Sequence, residues 1–213
     1  MNAKILTICV SRKKLVQYNG RTVSTGIFKT PVAGKIPLSK VNLAGDEQAD
    51  LTVHGGPDKA VYAYPIEHYH WWQEQMPDVE FPHGKFGENL TTEGLLESEV
   101  CIGDEFQVGS AIIKVSQPRL PCYKLGIKFG RLDVIKTFQQ SSRCGIYFSV
   151  VQEGNVAAGD EIKLLRRDEY NVNLQEVARL FSGKHDIDPE FVYNALESNL
   201  AEQMKMFIRG SFV

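Results

Sequence analysis

The sequence predicts a mainly β fold followed by a short helical unit. Short apolar segments recur from about residue 4 to residue 166, several alternating every second residue as a half-buried strand does. Glycines punctuate them, among them Gly20, Gly45, Gly103, Gly109, Gly145, Gly154 and Gly159. Beyond Arg166 the apolar spacing lengthens to that of a helix. Many short strands between turns favour a barrel or sandwich over a doubly wound sheet. The division falls between residues 1–166 and 167–213.

In chain order, strands are expected at residues 5–10, 41–43, 59–64, 104–108, 111–115, 146–151 and 161–165. A helix is expected over 66–75, with Tyr69 and Trp72 at helical spacing and Pro77 ending it. A second, over 133–140, gathers Val134, Ile135 and Phe138 on one side. An alternative use of the residues after Asn89 is that Thr91 and Thr92 cap a short helix. Asn173 with Glu176 three residues on forms a capping box ahead of the stripe Val177, Leu180 and Phe181. Asp188-Pro189 opens another helix with a cap and a first-turn proline. Residues 200–208 supply a third, with Met204 and Phe207 in its stripe. About 45 residues cannot build a large core alone, so these helices should pack on the barrel or on a partner. Their aromatic residues leave room for a homodimer surface.

The 213 residues are 43% hydrophobic and 23% charged, an ordinary soluble composition. No segment approaches the roughly 20 apolar residues of a membrane span. The N-terminal apolar patch reads as a first strand, not a signal peptide, so a cytoplasmic protein is expected. A formal charge of -2 argues against broad nucleic-acid binding and leaves room for one cationic pocket. No stable nucleic-acid or membrane partner is therefore expected. Cys9, Cys101, Cys122 and Cys144 contain no CxxC pair, which disfavours a structural zinc site or iron–sulfur cluster. One reactive cysteine and three inert ones is the simplest division.

Three stretches carry candidate chemistry. In residues 116–124, Pro118 and Pro121 should convert an incoming strand into a rigid loop bearing Arg119, Cys122 and Lys124. A thiol there suits a nucleophile or a thiolate metal ligand, the alternative being a small buried hydrophobe. Arg119 can bind an oxyanion bidentately, and Lys124 could favour the thiolate. In residues 46–62, His54 precedes Gly55-Gly56, whose amides could cradle an anion, and Lys59 adds a cation; a tight structural turn is the rival reading. In residues 86–95, Asn89 can recognise the edge of a heterocycle and Glu88 can orient a base or accept a proton, unless both serve an Asx-type turn. A Cys–His hydrolase would need His54, His68, His70 or His83 to reach Cys122 through the fold. His68 and His70 are two apart and share no helix face, a poor zinc pair.

Taken together, Thr25-Gly26-Ile27-Phe28-Lys29, Gly45-Asp46-Glu47-Gln48-Ala49-Asp50, His54-Gly55-Gly56-Pro57-Asp58-Lys59-Ala60-Val61, Phe86-Gly87-Glu88-Asn89-Leu90 and residues 117–125 are specific. The chain resembles the MOSC-domain family in its bacterial YiiM type, related to the C-terminal domain of molybdenum-cofactor sulfurase. The resemblance implies a mainly β fold, a MOSC-type β-barrel related to the pyruvate-kinase barrel domain, with a small C-terminal three-helix domain. It also implies a molybdenum–pterin cofactor (molybdopterin), with no role for pyridoxal phosphate. Cys122 would give its thiolate to molybdenum, and Arg119, Lys59, Asn89, Lys13 and Thr25 would hold the cofactor. Cys122, His54 and Glu88 would be the catalytic group. The implied activity is reduction of N-hydroxylated compounds such as 6-hydroxylaminopurine to amines, a detoxification of base analogues. Electrons would come from a separate flavin or iron–sulfur reductase. The alternative is a molybdenum-cofactor carrier or sulfur-transfer protein using Cys122.

Overall fold

The computed structural model describes residues 2–49, 55–182 and 188–212. The chain opens with β1 (Ala3–Val10), β2 (Lys14–Tyr18), β3 (Arg21–Thr25), β4 (Thr30–Val32) and β5 (Ile36–Leu38). A 3-10 turn, Pro57–Lys59, leads into β6 (Val61–Pro65), α1 (Glu67–Gln75) and β7 (Leu90–Glu93). Then follow β8 (Glu105–Val108), β9 (Ala111–Pro118), α2 (Tyr123–Phe129), α3 (Asp133–Ser141), β10 (Ile146–Gln152), β11 (Gly154–Val156) and β12 (Glu161–Arg166). Three helices end the described chain: α4 (Leu174–Leu180), α5 (Pro189–Glu197) and α6 (Glu202–Phe212).

Seven strands close into a barrel in the order β12-β8-β9-β10-β6-β7-β1, sealed where Ala3 and Lys4 pair with Ile162 and Glu161. All neighbours are antiparallel except β6 and β7. Strand β1 carries three partners because its register with β7 shifts between Ile5 and Thr7. Such a bulge bends the strand, so its start serves β12 and its end serves β4. Closure removes the exposed edges that short strands would otherwise present. Period-two alternation places Ala111, Ile113 and Val115 of β9 inward with no exposed surface.

A second, aromatic core lies outside the barrel wall, where α1, α2 and α3 cover it. Trp72, Tyr64, Phe86 and Phe138 are fully buried there, and Trp72 Nε1 donates to the Tyr64 hydroxyl at 2.6 Å. The C-terminal helices join the barrel's own core: Leu174, Val177, Ala195, Met204 and Ile208 belong to one apolar cluster with Ile102, Phe106 and Val115. Ala201 N donates to Ser116 O at 3.1 Å across that junction. The expected caps form, since Asn173 Oδ1 accepts from Gln175 N and Glu176 N, and Asp188 Oδ1 from Glu190 N. Among the described residues, no helix is long and apolar enough to cross a membrane.

Several expected elements change. The strand at 41–43 is a single bridge, Leu43 with Leu38, and the strand expected from residue 59 begins at Val61 after the 3-10 turn. Thr91 and Thr92 cap no helix; they lie inside β7, fully buried on both faces between β1 and β6. The hairpin β2–β3 was signalled only by Asn19-Gly20, both in left-handed conformation (φ 48° and 73°), as a two-residue hairpin turn requires. Gly94 ends β7 at φ 73°, and a Cβ there would overlap Asn2 O. Gly94→Ala should therefore destabilise the barrel by about 1–3 kcal/mol, read as a lower urea midpoint at unchanged slope.

Candidate functional site

At one end of the barrel, the segment after β3, the 46–49 loop, the start of β6, the residues before β7 and the loop after β9 surround a cleft of about 100 Å³. Its wall includes Thr25, Lys29, Asp46, Lys59, Tyr62, Asn89, Arg119, Cys122, Lys124 and Tyr147. Gly87, at φ 80°, lets the approach to β7 pass close to Ile27; a Cβ would stand 2.7 Å from the Ile27 side chain.

The wall is organised by Asp46, which is buried. Its carboxylate accepts from Ser11 N at 2.8 Å, from Asn89 Nδ2 at 2.9 Å and from Lys29 Nζ in a buried ion pair. Burial pulls the Lys29 ammonium below its ordinary value, while Asp46 opposes that shift. Asn89 is equally committed: Oδ1 accepts from Tyr62 N at 3.1 Å, and Nδ2 also donates to Cys9 O at 3.3 Å. One side chain thus ties β6, the approach to β7, the end of β1 and the Asp46 loop together.

The proline-flanked loop behaves partly as expected. Strand β9 stops at Pro118, but the loop spans only residues 119–122 before the chain turns into α2. Cys122 sits at the cap position in extended conformation (φ -129°) and is half-buried. Cys9, Cys101 and Cys144 are buried. Burial drives the Cys9 thiol up to about 12, with Glu88 adding to it, and holds the Cys144 thiol far above its ordinary value. It also raises Cys101, although Arg167 Nη1 lies 3.1 Å from that sulfur. Arg119 is buried beneath the cleft wall, its Nη1 donating to Phe86 O and its guanidinium 4.7 Å from the Tyr62 ring centroid. Lys128 of α2 lies near the same group; burial brings it down to about 8, and it donates to Ile27 O at 2.7 Å and to Gly84 O.

Of the residues expected from sequence, Cys122, Arg119, Asn89, Lys59 and Thr25 share this cleft. Thr25 Oγ1 accepts from Ile27 N at 3.2 Å, and Lys59 Nζ donates to Gln203 Oε1 at 3.1 Å. Glu88 does not line it. That fully buried carboxylate accepts from Gly84 N (2.7 Å), Phe86 N (3.0 Å), Thr91 Oγ1 (3.1 Å) and the Tyr69 hydroxyl, so it fixes the loop that carries Asn89. Lys13 is exposed outside the cleft wall, its backbone N donating to Glu47 Oε2 at 2.9 Å. His54 lies outside the described residues. His68 Nε2 is 2.7 Å from Glu97 Oε2, and His70 is exposed on α1 beside Glu74. Sequence reasoning assigned no role to Lys29, Asp46, Glu47, Tyr62 or Tyr147. All but Tyr147 stood inside motif-bearing stretches, and Tyr147 carried no local signal beyond its place in a strand. Among the described residues, no three His, Cys, Asp or Glu side chains converge to hold a metal ion.

The MOSC domain profile matches residues 50–163. YiiM of Escherichia coli (strain K12) is 43% identical over 158 residues, covering 73% of this chain and 70% of that protein. A protein named "Reductase" from Gibberella moniliformis is 34% identical over 166 residues, 75% of this chain and 29% of the longer protein. The crystal structure of YiiM from Geobacillus stearothermophilus superposes with a TM-score of 0.83 at 31% identity, over 99% of this chain and all of that one.

Two outcomes follow from the geometry. In the native protein a disulfide reagent at pH 8 should titrate one thiol rapidly, with all four reacting in denaturant; Cys122→Ala should remove the rapid phase. Asp46→Ala strands the Lys29 ammonium without its partner and should cost about 3–5 kcal/mol in urea unfolding, partly recovered by adding Lys29→Met.

Proposed function

The chain belongs to the MOSC-domain family, and from that premise we propose that it reduces N-hydroxylated compounds to amines with a bound molybdenum–pterin cofactor. 6-Hydroxylaminopurine would be one substrate, and detoxification of such base analogues the role. The observation that carries this reading is the distribution of thiols. Cys122 is the one half-buried cysteine of the four and lines the cationic cleft, while burial raises the thiols of Cys9, Cys101 and Cys144.

The donor set fits the group. A soft sulfur ligand suits a transition metal. Around it stand four cations, Lys29, Lys59, Arg119 and Lys124, against two carboxylates, Asp46 and Glu47. Since Lys29 is neutralised by Asp46, the remaining balance favours an anionic ligand such as a pterin bearing phosphate. When bound, the cofactor would supply the two-electron redox chemistry.

The chain's own residues do the rest. Cys122 would hold the metal through its thiolate, and Lys59 and Lys124 would meet the anionic part. Arg119, locked by Phe86 O and the Tyr62 ring, contributes a fixed positive charge under the wall. Asn89 and Asp46 position that wall instead of exchanging protons. A separate flavin or iron–sulfur reductase would return electrons.

Protein purified from a cofactor-producing host should contain one molybdenum and one pterin per chain. It should consume 6-hydroxylaminopurine only when reductant is supplied. Cys122→Ala should lower metal content at least about tenfold, since losing even an outer-shell partner of a metal ligand costs about that much. Full loading and activity in that variant would refute the ligand assignment. Stoichiometric cofactor without turnover would favour a carrier, and a labelled sulfur adduct on Cys122 would favour sulfur transfer.

A further inference from the structure

Among the described residues, the cleft wall carries one hydroxyl that the fold itself leaves unused. Tyr147 of β10 faces Tyr62 of β6 across the strand pair, with ring centroids 4.9 Å apart. The Tyr62 hydroxyl donates to Cys144 O at 2.9 Å, and Thr25 Oγ1 accepts from Ile27 N. The Tyr147 hydroxyl has no hydrogen-bond partner among the described residues, although its ring is half-buried and lines the cleft. Tyr147 lines the same cleft as Cys122, and Arg119, Cys122 and Asp46 all act electrostatically on its phenol. Burial raises this phenol above its ordinary value, so it stays an O–H donor throughout the neutral range.

A half-buried donor without a protein partner is satisfied by water or by a ligand. The other strong donors of the wall, Lys59, Arg119 and Lys124, are cationic and match an anionic portion. A neutral phenol matches a neutral acceptor. We propose that the Tyr147 hydroxyl donates a hydrogen bond to the N–OH oxygen of the substrate and so selects the hydroxylated compound over its amine. This rests on the reductase reading and names the residue that recognises its substrate. The N–OH oxygen offers lone pairs, whereas an amino nitrogen conjugated to a heteroaromatic ring accepts poorly and leaves the phenol unpaired. Sites built to bond a hydroxyl discriminate in this way against ligands that lack it.

The test is a binding comparison on cofactor-loaded protein without reductant, so turnover does not enter. Titration calorimetry with 6-hydroxylaminopurine and with adenine should give the wild type about a five- to tenfold preference for the hydroxylated purine, the scale of one neutral hydrogen bond. Tyr147→Phe, which removes only the hydroxyl, should make the two affinities equal while cofactor content stays at the wild-type level. In protein labelled with [¹³Cζ]tyrosine, the Tyr147 resonance should shift with 6-hydroxylaminopurine and not with adenine. Equal affinities in the wild type would overturn the assignment. So would a preference that survives Tyr147→Phe, or a variant that loses cofactor while keeping the preference. Failure of the reductase reading would show separately, as absent turnover when reductant is added.

Discussion

The cleft depends on one buried carboxylate. Taking Asp46 out of water costs several kcal/mol, and the fold recovers this only because three donors from separate segments converge on it. Ser11 brings the end of β1, Lys29 the segment beyond β3, and Asn89 the approach to β7. None of these segments can withdraw without leaving a charge or an amide unpaired in low dielectric. The rigidity of the wall is therefore electrostatic as much as apolar.

That constraint explains how a cleft with so many cations stays folded. Lys29 is matched by Asp46, while Lys128 donates to two backbone carbonyls and its proton is weakly held. Arg119 is sandwiched by aromatic rings and a carbonyl. Lys29, Lys128 and Arg119 thus each have fixed partners, and the positive potential they project into the cleft requires no reorganisation of those side chains when an anion arrives. The thiol is positioned by an independent device. Pro118 and Pro121 stop β9 from pairing further, and the four-residue loop between strand and helix leaves Cys122 half-buried at the wall.

Much of the frame was legible because local periodicity and capping act within a few residues. The alternation of Ala111, Ile113 and Val115, the Asn173 cap and the Asp188-Pro189 start all appear as written in the chain. The segment around Thr91-Thr92 was misread because a strand buried on both faces shows no alternation, and threonine serves caps and strands alike. Hairpin β2–β3 was missed since every residue in it but Thr25 is exposed or half-exposed, so only Asn19-Gly20 marked it. The position of Glu88 outside the cleft was illegible for a related reason: a carboxylate beside glycines has the same local signature whether it faces a ligand or satisfies its own loop.

By itself, then, the amino-acid order determined a β-rich barrel, its capped terminal helices and a thiol on a proline-braced loop, because these follow from dihedral limits and short-range spacing. Only tertiary structure decided which polar groups are consumed and which face the cleft. Asp46 meets Asn89 across 43 positions and Ser11 across 35, and Tyr147 reaches the wall only because β10 pairs with β6. Barrel closure sets those neighbours. Alternation along a strand can say that a side chain points inward or outward, but not which distant donor will be waiting for it.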